Sequence, residues 1–178
     1  MPPSAISATG PAPLIVTVQL DPAAQARFDR ERLEHFPAGR TVIGAHVTLF
    51  HAVPAAVDPV VREDLAASSN RPPFGLAVPE LMSLGRGVAY RLHSTELVAL
   101  HRRLQLRWWQ HLTAQDRQGF RPHLTVQNKA GAEVAARTLA QLEAGFEPFT
   151  VRAIGLRLWR YEGGPWSELG QFPFSGES

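Results

Sequence analysis

Two short runs of this chain carry residues suited to acid–base chemistry. His46 and Thr48 lie in the run HVTL, and His123 and Thr125 lie in the run HLTV. Each run alternates polar and aliphatic residues, which is the pattern of a β-strand with one polar and one buried face. The histidine and the threonine of each run therefore point to the same side. Because one copy occurs in each half of the chain, we expect a single site at which the two histidines face each other.

Two histidines on a common surface are suited to proton transfer at a phosphodiester. Histidine titrates near neutrality, so one imidazole accepts a proton from the attacking oxygen while a second, charged one donates to the departing oxygen. Two threonine hydroxyls would hydrogen-bond the non-bridging phosphoryl oxygens, and a protonated histidine would stabilise the transition-state charge. This chemistry requires no metal ion and no cofactor. The sequence leaves open which histidine is the base.

Residues beside the second run extend its polar face. In a regular strand Arg121, Gln127 and Lys129 share the side of His123 and Thr125. Such a polar row would be costly to bury without a ligand or water. These three residues are therefore predicted to bind substrate.

Residues near the first run and in the middle of the chain are further candidates. Phe50 shares the side of His46, where it either packs on the sheet or stacks on a base. His51 lies five residues after His46, so in a regular strand it has the opposite orientation and is predicted to point away from the site. Arg86, in a glycine turn, and Tyr90, in the strand after it, are predicted to reach the groove or to be structural.

Two clusters of large side chains have structural interpretations beside functional ones. Trp159 and Trp166 flank a glycine turn, which favours cross-strand aromatic pairing in a hairpin over base stacking. Arg102, Arg103 and Arg107 are interpreted as a solvated helix face, with contact to an RNA backbone as the alternative.

The composition restricts the class of protein. With 178 residues, the chain forms one sizeable core or two small lobes. The 18 basic and 16 acidic residues leave a net charge of +2, which argues against broad nucleic-acid binding but leaves room for an arginine-lined groove. The absence of cysteine excludes disulfides, thiolate nucleophiles and cysteine-bound zinc. Without a signal-peptide pattern or a membrane-length apolar run, a soluble, cytoplasmic monomer is expected, with no membrane partner.

The order of the predicted elements repeats. Strand, helix, His-Thr strand, helix and strand occur once in each half, which predicts an α+β fold of two duplicated lobes. Residues 1–13 are predicted to be a disordered tail, and residues 14–178 a single bilobal domain. The predicted strands are 14–20, 45–53, 74–84, 87–92, 122–129, 148–160 and 165–174, and the predicted helices are 22–36, 59–70, 95–113 and 132–144.

The paired motifs and the duplicated order resemble the 2H phosphoesterase superfamily, which includes 2′-5′ RNA ligases and RNA 2′,3′-cyclic phosphodiesterases. The resemblance implies two antiparallel sheets that line a central groove, with helices outside. It also implies metal-independent hydrolysis of a cyclic phosphate on an RNA end or nucleotide. By the resemblance, His46 and His123 would be catalytic, and Thr48 and Thr125 would bind phosphate. His51 and the run Gln127-Asn128-Lys129 depart from the common pattern, which affects the substrate more than the chemistry.

Two other functions are compatible with the motifs. A binding module would hold an RNA end or a nucleotide without turnover. A structural protein with coincidental His-Thr strands would place the two histidines far apart.

Overall fold

The computed structural model describes residues 10–41 and 43–176. Most of the predicted tail lies outside these residues, and residues 10–13 have no helix or strand. In chain order the elements are β1 (Leu14–Leu20), α1 (Pro22–His35), β2 (Val47–Val53), α2 (Asp58–Ser68), β3 (Phe74–Ser83), β4 (Val88–His93), α3 (Thr95–Trp108), β5 (His123–Gln127), α4 (Ala132–Ala144), β6 (Phe149–Tyr161) and β7 (Trp166–Pro173). A 3₁₀ turn at Trp109–His111 follows α3, which therefore ends before the predicted residue 113.

The helices that precede the two motif strands begin where the sequence predicts. Asp21 accepts a hydrogen bond from the backbone N–H of Ala24 at 3.0 Å, and a proline is the first helical residue. Ser94 caps α3 in the same way, accepting from the N–H of Leu97 at 3.2 Å. Each cap satisfies a backbone donor that the first helical turn leaves free.

The strands form one antiparallel sheet in the order β2-β1-β6-β3-β4-β5, and β7 also pairs with β6. This order reads the same from either end when β1 is exchanged with β4, β2 with β5 and β3 with β6. The predicted α+β fold with antiparallel strands is confirmed, and the symmetry supports the predicted duplication.

The long strand β6 connects the two predicted sheets. Its residues 149–153 pair with β3, and its residues 153–160 pair with β1. The two halves are therefore hydrogen-bonded through a shared strand. The motif strands β2 and β5 lie at opposite ends of the strand order, yet they contact each other. The sheet is therefore strongly curled, and the curl brings the two motifs together.

The hydrophobic core lies between the sheet and the helices. The helix α3 and the turn after it present an apolar face to this core, and all five of its residues are buried: Leu97, Leu100, Leu104, Trp108 and Leu112. Burying each such side chain contributes about 1.5–3 kcal/mol. None of the helices in the described ranges is long and apolar enough to cross a membrane.

The first motif strand contains a β-bulge directly after its threonine. Thr48 pairs with Thr17, but Phe50 pairs with Val16, so two steps along β2 correspond to one step along β1. The extra residue interrupts the alternation of faces. Leu49 and Phe50, although adjacent, are both buried as a result.

The second motif strand contains the equivalent bulge. Thr125 pairs with Ala89, and Gln127 pairs with Val88. Val126 and Gln127 are both buried, as their counterparts in β2 are. In each strand the second residue after the threonine therefore turns into the core, and the third returns to the motif side.

Candidate active site

The two motif histidines are held in the same way. Nδ1 of His46 lies 2.8 Å from the carbonyl oxygen of Gly44, and Nδ1 of His123 lies 3.0 Å from that of Arg121. A carbonyl oxygen only accepts, so the proton of each hydrogen bond belongs to Nδ1. Nε2 is left free to accept a proton when the ring is neutral and to donate one when it is charged. The local backbone therefore prepares both rings for proton transfer through Nε2.

The motif residues line two neighbouring cavities, and each cavity combines the two halves of the chain. The His46 cavity, of about 260 Å³, is lined by His46, which directly precedes β2, and by Thr125 of β5. The His123 cavity, of about 350 Å³, is lined by His123 of β5 and Thr48 of β2. The structure thus brings the four motif residues together, with each histidine beside the threonine of the other half.

A buried arginine ties the two motif strands together. Nε of Arg32 donates to the carbonyl of Ile43 at 3.0 Å, and Nη1 donates to the carbonyl of Thr125 at 2.8 Å. Ile43 lies three residues before His46, so one guanidinium holds both halves of the site. The guanidinium also lies 4.2 Å from the ring centroid of Phe36, which restricts its orientation.

The burial of Arg32 had a signal in the sequence, outside the two motifs. The buried residues of α1 are Ala24, Phe28 and Arg32, spaced four apart along one face. An arginine on an apolar helical stripe is seldom buried unless it is paired or hydrogen-bonded. Its position therefore indicated a buried partner, although not which one.

His46 is half-buried beneath an aromatic side chain. Its ring centroid lies 4.8 Å from that of Trp166, which in turn packs edge-on against Trp159 at 6.0 Å. The predicted aromatic hairpin is present, because Trp166 pairs with Tyr161 across β6 and β7. Trp166 consequently belongs to the hairpin and to the wall of the His46 cavity.

The pKa of His46 is lowered from 6.5 to about 4. Burial is the main cause, because it disfavours the charged ring. The hydrogen bond to the Gly44 carbonyl opposes this effect, and the electrostatic influence of three nearby basic groups adds to it. These groups are Arg32, His51 and His123. At neutral pH the ring of His46 is therefore uncharged.

His51 lies on the site side of β2, contrary to the prediction from parity. The bulge after Thr48 shifts the alternation by one residue, and His51 lines the His123 cavity. Its Nδ1 lies 3.0 Å from Oδ1 of Asp116, whose carboxylate also accepts the backbone N–H groups of His51 and Ala52. Burial alone would raise the pKa of Asp116, but these hydrogen bonds hold it below its ordinary value. Asp116 thus fastens β2 to the loop that leads to His123.

The cavities have cationic walls. Arg121 and Lys129, both predicted to bind substrate, are exposed and line the His123 and the His46 cavity respectively. Arg91 also lines the His123 cavity, and Arg40 the His46 cavity. The described lining of the His46 cavity includes no carboxylate, and the one in the His123 cavity, Asp116, is engaged by His51. Both cavities therefore favour an anionic ligand.

Two aromatic candidates belong to the core instead of the groove. Phe50 is fully buried, with its ring centroid 4.7 Å from that of His101 and 4.9 Å from that of Trp108. The bulge turns Phe50 inward, so it has no face for a base. Tyr90 is also buried, and its hydroxyl donates to Glu31 at 2.6 Å.

Two polar candidates have structural partners. Gln127 is buried, and its amide donates to the carbonyl of His35 at 3.1 Å and to Oγ1 of Thr138 at 2.9 Å. The second bulge explains this inward position, which corrects the prediction of a regular polar face. Arg86 is exposed, and its Nε donates to the carbonyl of Ala130 at 3.0 Å. It is not among the described residues that line either cavity.

The bulges also bring two further residues to the site, although the alternation of a regular strand would point both of them away from it. Asn128 follows buried Gln127 and lines the His46 cavity, just as His51 follows buried Phe50 and lines the His123 cavity. Both are the third residue after the threonine of their motif. When the two halves are aligned, the residue at this position is polar in both. The sequence therefore contained a sign that this position faces the site.

Comparisons with known proteins identify a family and similar folds. The family model described as the 2′-5′ RNA ligase superfamily matches residues 20–165. The structure resembles TT0787 of Thermus thermophilus with a TM-score of 0.66 and 17% identity, covering 93% of this chain and 100% of that chain. It resembles E. coli LigT complexed with 3′-AMP with a TM-score of 0.62 and 18% identity, covering 93% and 99%. For E. coli LigT complexed with phosphate the TM-score is 0.59 and the identity 20%, covering 94% and 99%.

A search of curated proteins gives no significant match. The solved structures are similar at low identity and therefore show the fold. The family model spans both motifs and most of the elements. The chain therefore belongs to the 2′-5′ RNA ligase superfamily of 2H phosphoesterases.

Proposed function

We propose that this protein is a phosphodiesterase that hydrolyses 2′,3′-cyclic phosphate ends of RNA, or related 2′-5′ and cyclic nucleotide phosphodiesters. The observation that carries the proposal is the crossed arrangement of the site, in which each cavity joins the histidine of one half to the threonine of the other. Membership of the superfamily supports a phosphodiesterase or ligase type of activity. The complexes of LigT with 3′-AMP and with phosphate support a nucleotide-derived anion as the ligand.

Hydrolysis of a cyclic phosphate requires one proton to be removed and one to be delivered. A base takes a proton from water as the new P–O bond forms, and an acid protonates the ribose oxygen as the old P–O bond breaks. The Nε2 atoms of His46 and His123 would perform these two transfers without a metal ion. The hydroxyls of Thr48 and Thr125 would donate to the non-bridging oxygens, and the cationic walls would stabilise the transition-state charge.

The surroundings favour His46 as the base and His123 as the acid. His46 is covered by Trp166, and with its pKa lowered to about 4 it is neutral before the reaction, as a base must be. His123, which is exposed to solvent, would then take the complementary role of acid. A phosphodiester anion bound beside His46 would raise its pKa and so strengthen it as a base.

Replacement of either histidine tests the proposal. His46→Ala and His123→Ala are each expected to lower the hydrolysis rate of 2′,3′-cyclic AMP by about 10²–10⁴-fold, because each removes one proton transfer. The rate is measured with EDTA present, by chromatographic separation of the cyclic and ring-opened nucleotides, and thermal unfolding checks each fold. His111→Ala, at an exposed position outside both cavities, is the control. Full activity in both variants would exclude this mechanism, and loss of wild-type activity on chelation would favour a metal site.

A binding module that holds an RNA end or a nucleotide without turnover is the alternative. Such a module would bind adenosine 2′-phosphate and leave 2′,3′-cyclic AMP intact. Calorimetric titration with the 2′-phosphate, beside the hydrolysis assay, separates the two functions. Binding without detectable hydrolysis would replace the phosphodiesterase by the module.

A further inference from the structure

A third cavity lies between α2 and α3, away from the motifs. Its volume is about 460 Å³, within the range of about 300–1,000 Å³ that small-ligand pockets occupy. Among the described residues, it shares no lining residue with the His46 or the His123 cavity. Three arginines line it, Arg71, Arg103 and Arg107, together with a single carboxylate, Asp64. We refer to it as the α2–α3 cavity.

The carboxylate of this cavity is already engaged. Oδ1 of Asp64 accepts a hydrogen bond from Nε of Arg107 at 2.5 Å, and Oδ2 accepts one from the buried indole N–H of Trp108 at 2.8 Å. Asp64 is itself buried, so its position is fixed and its charge is balanced by Arg107. The positive charge left to face the cavity therefore comes from Arg71 and Arg103.

These two arginines are held close enough to repel each other. Burial lowers the pKa of Arg71, the charge of Arg103 lowers it further, and Glu96 opposes both effects. The guanidinium of Arg71 lies 4.8 Å from the ring centroid of Phe74, which limits its movement. An anion bound between the two guanidinium groups would remove this repulsion.

We propose that the α2–α3 cavity binds a phosphate-class anion between Arg71 and Arg103. A guanidinium presents paired N–H donors that match two oxygens of a phosphoryl group. Ser68 and Asn70, which also line the cavity, supply neutral donors for the remaining oxygens. Free phosphate and the phosphomonoester of a nucleotide share this chemistry. The site does not depend on the activity proposed for the motif histidines.

Nuclear magnetic resonance of the ¹⁵N-labelled full chain, titrated with inorganic phosphate at constant ionic strength, tests this site. The amide signals of Asn70 and Arg71 and the Nε–H signal of Arg103 are expected to shift with one common Kd. Arg103→Ala should weaken this binding about tenfold, since it removes a charge-assisted contact. Arg102→Ala removes the same charge from the adjacent exposed position, which does not line the cavity, and should leave the Kd unchanged.

A parallel titration with 5′-AMP distinguishes the two sources of the phosphoryl group. Tighter binding of 5′-AMP than of phosphate would support a nucleotide ligand, and equal affinity would support free phosphate. Without a saturable shift at Asn70 and Arg71 in the wild type, the proposal is overturned. Equal weakening by Arg102→Ala and Arg103→Ala also overturns it, because that result would indicate general attraction to a positive helix. Both arginines are exposed, so both variants are expected to fold, which thermal unfolding verifies.

Discussion

The two motif histidines have the same backbone arrangement but opposite surroundings. His46 is half-buried under Trp166, whereas His123 is exposed to solvent. The repeated order of strand, helix, strand, helix and strand does not account for this difference, because it surrounds both motifs alike. Trp166 comes from β7, the strand that stands outside the repeat. The duplicated elements thus supply two equivalent imidazoles, and one additional strand makes their surroundings unequal, which is what the proposed division into acid and base requires.

The helices before the motif strands differ in a comparable way. α1 and α3 each have 14 residues, and their eleventh residues are Arg32 and Gln105. Arg32 donates to carbonyls in both halves of the chain. The amide of Gln105 donates to the carbonyls of Asp116 and Gln118, both in the loop before β5. Arg32 of α1 therefore joins the two halves, whereas Gln105 of α3 holds only its own.

Among the changes that test this comparison, the largest effect is expected from Arg32→Ala. It removes two charge-assisted hydrogen bonds and loosens both motif strands, so we expect kcat/KM for 2′,3′-cyclic AMP to fall about 100-fold. The free energy of unfolding should fall by about 2–4 kcal/mol, because carbonyls lose their partners. Gln105→Ala should lower kcat/KM by less than tenfold. Steady-state kinetics and urea denaturation measure both, and Arg30→Ala, at an exposed position of α1, is the control. Equal losses for Arg32→Ala and Gln105→Ala would show that these two residues do not differ in their importance for the site.

A smaller effect is expected from His101→Phe, which gives α3 the residue that α1 has at its seventh position, Phe28. His101 is stacked between Phe50 and Phe120, and burial lowers its pKa to about 4. The unfolded chain then binds the proton more readily, so the stability of the wild type falls as the pH decreases from 6.5 towards 4. His101 should account for about 1–2 kcal/mol of this loss between pH 6.5 and 5.

The variant His101→Phe should therefore lose less stability over that pH range. Loss of the hydrogen bond between His101 and the backbone of Leu49 would lower its stability at every pH and leave this difference in slope. Urea denaturation at several pH values measures the difference. An identical pH dependence in wild type and variant would show that His101 is not held neutral by the fold.

The most local effect is expected from Trp166→Ala, which uncovers His46. Water then reaches the ring, and the pKa of His46 should rise from about 4 towards 6.5, by about one unit. Activity that needs a neutral base should then be lost at a higher pH as the solution is acidified. Imidazole signals followed by NMR against pH give the pKa directly. Trp109→Ala, an exposed tryptophan outside both cavities, is the matched control. An unchanged pKa would show that Trp166 does not desolvate the histidine.

The sequence predicts the orientation of the motif residues better than that of the residues that follow them. Period-two alternation was enough to place His46 beside Thr48 and His123 beside Thr125, but it failed at the next residues because each strand has a bulge. In β2 the adjacent apolar pair Leu49-Phe50 was a weak sign of this bulge. In β5 the corresponding residue is a glutamine, whose burial depends on partners in α1 and α4.

The other residues of the site that the sequence did not indicate have partners far away in the chain. Asp116 lies 65 positions from His51 in the chain, and Arg32 lies 93 positions from Thr125. Local patterns describe which residues a strand or helix buries, but they do not identify what a buried charge meets. The contacts that hold the two halves of the site together are long-range. The sequence therefore indicates the reactive side chains but not the residues that position them.

The shared strand β6 has a consequence for how the chain reaches its folded state. β1, near the start of the chain, finds a neighbour in residues 153–160, near its end. Such contacts between distant parts of a chain slow folding. The first half cannot complete its share of the sheet during synthesis until β6 has been made, and one edge of β1 stays unpaired until then. Although the two halves mirror each other, the first therefore cannot mature before the last strand of the second is available.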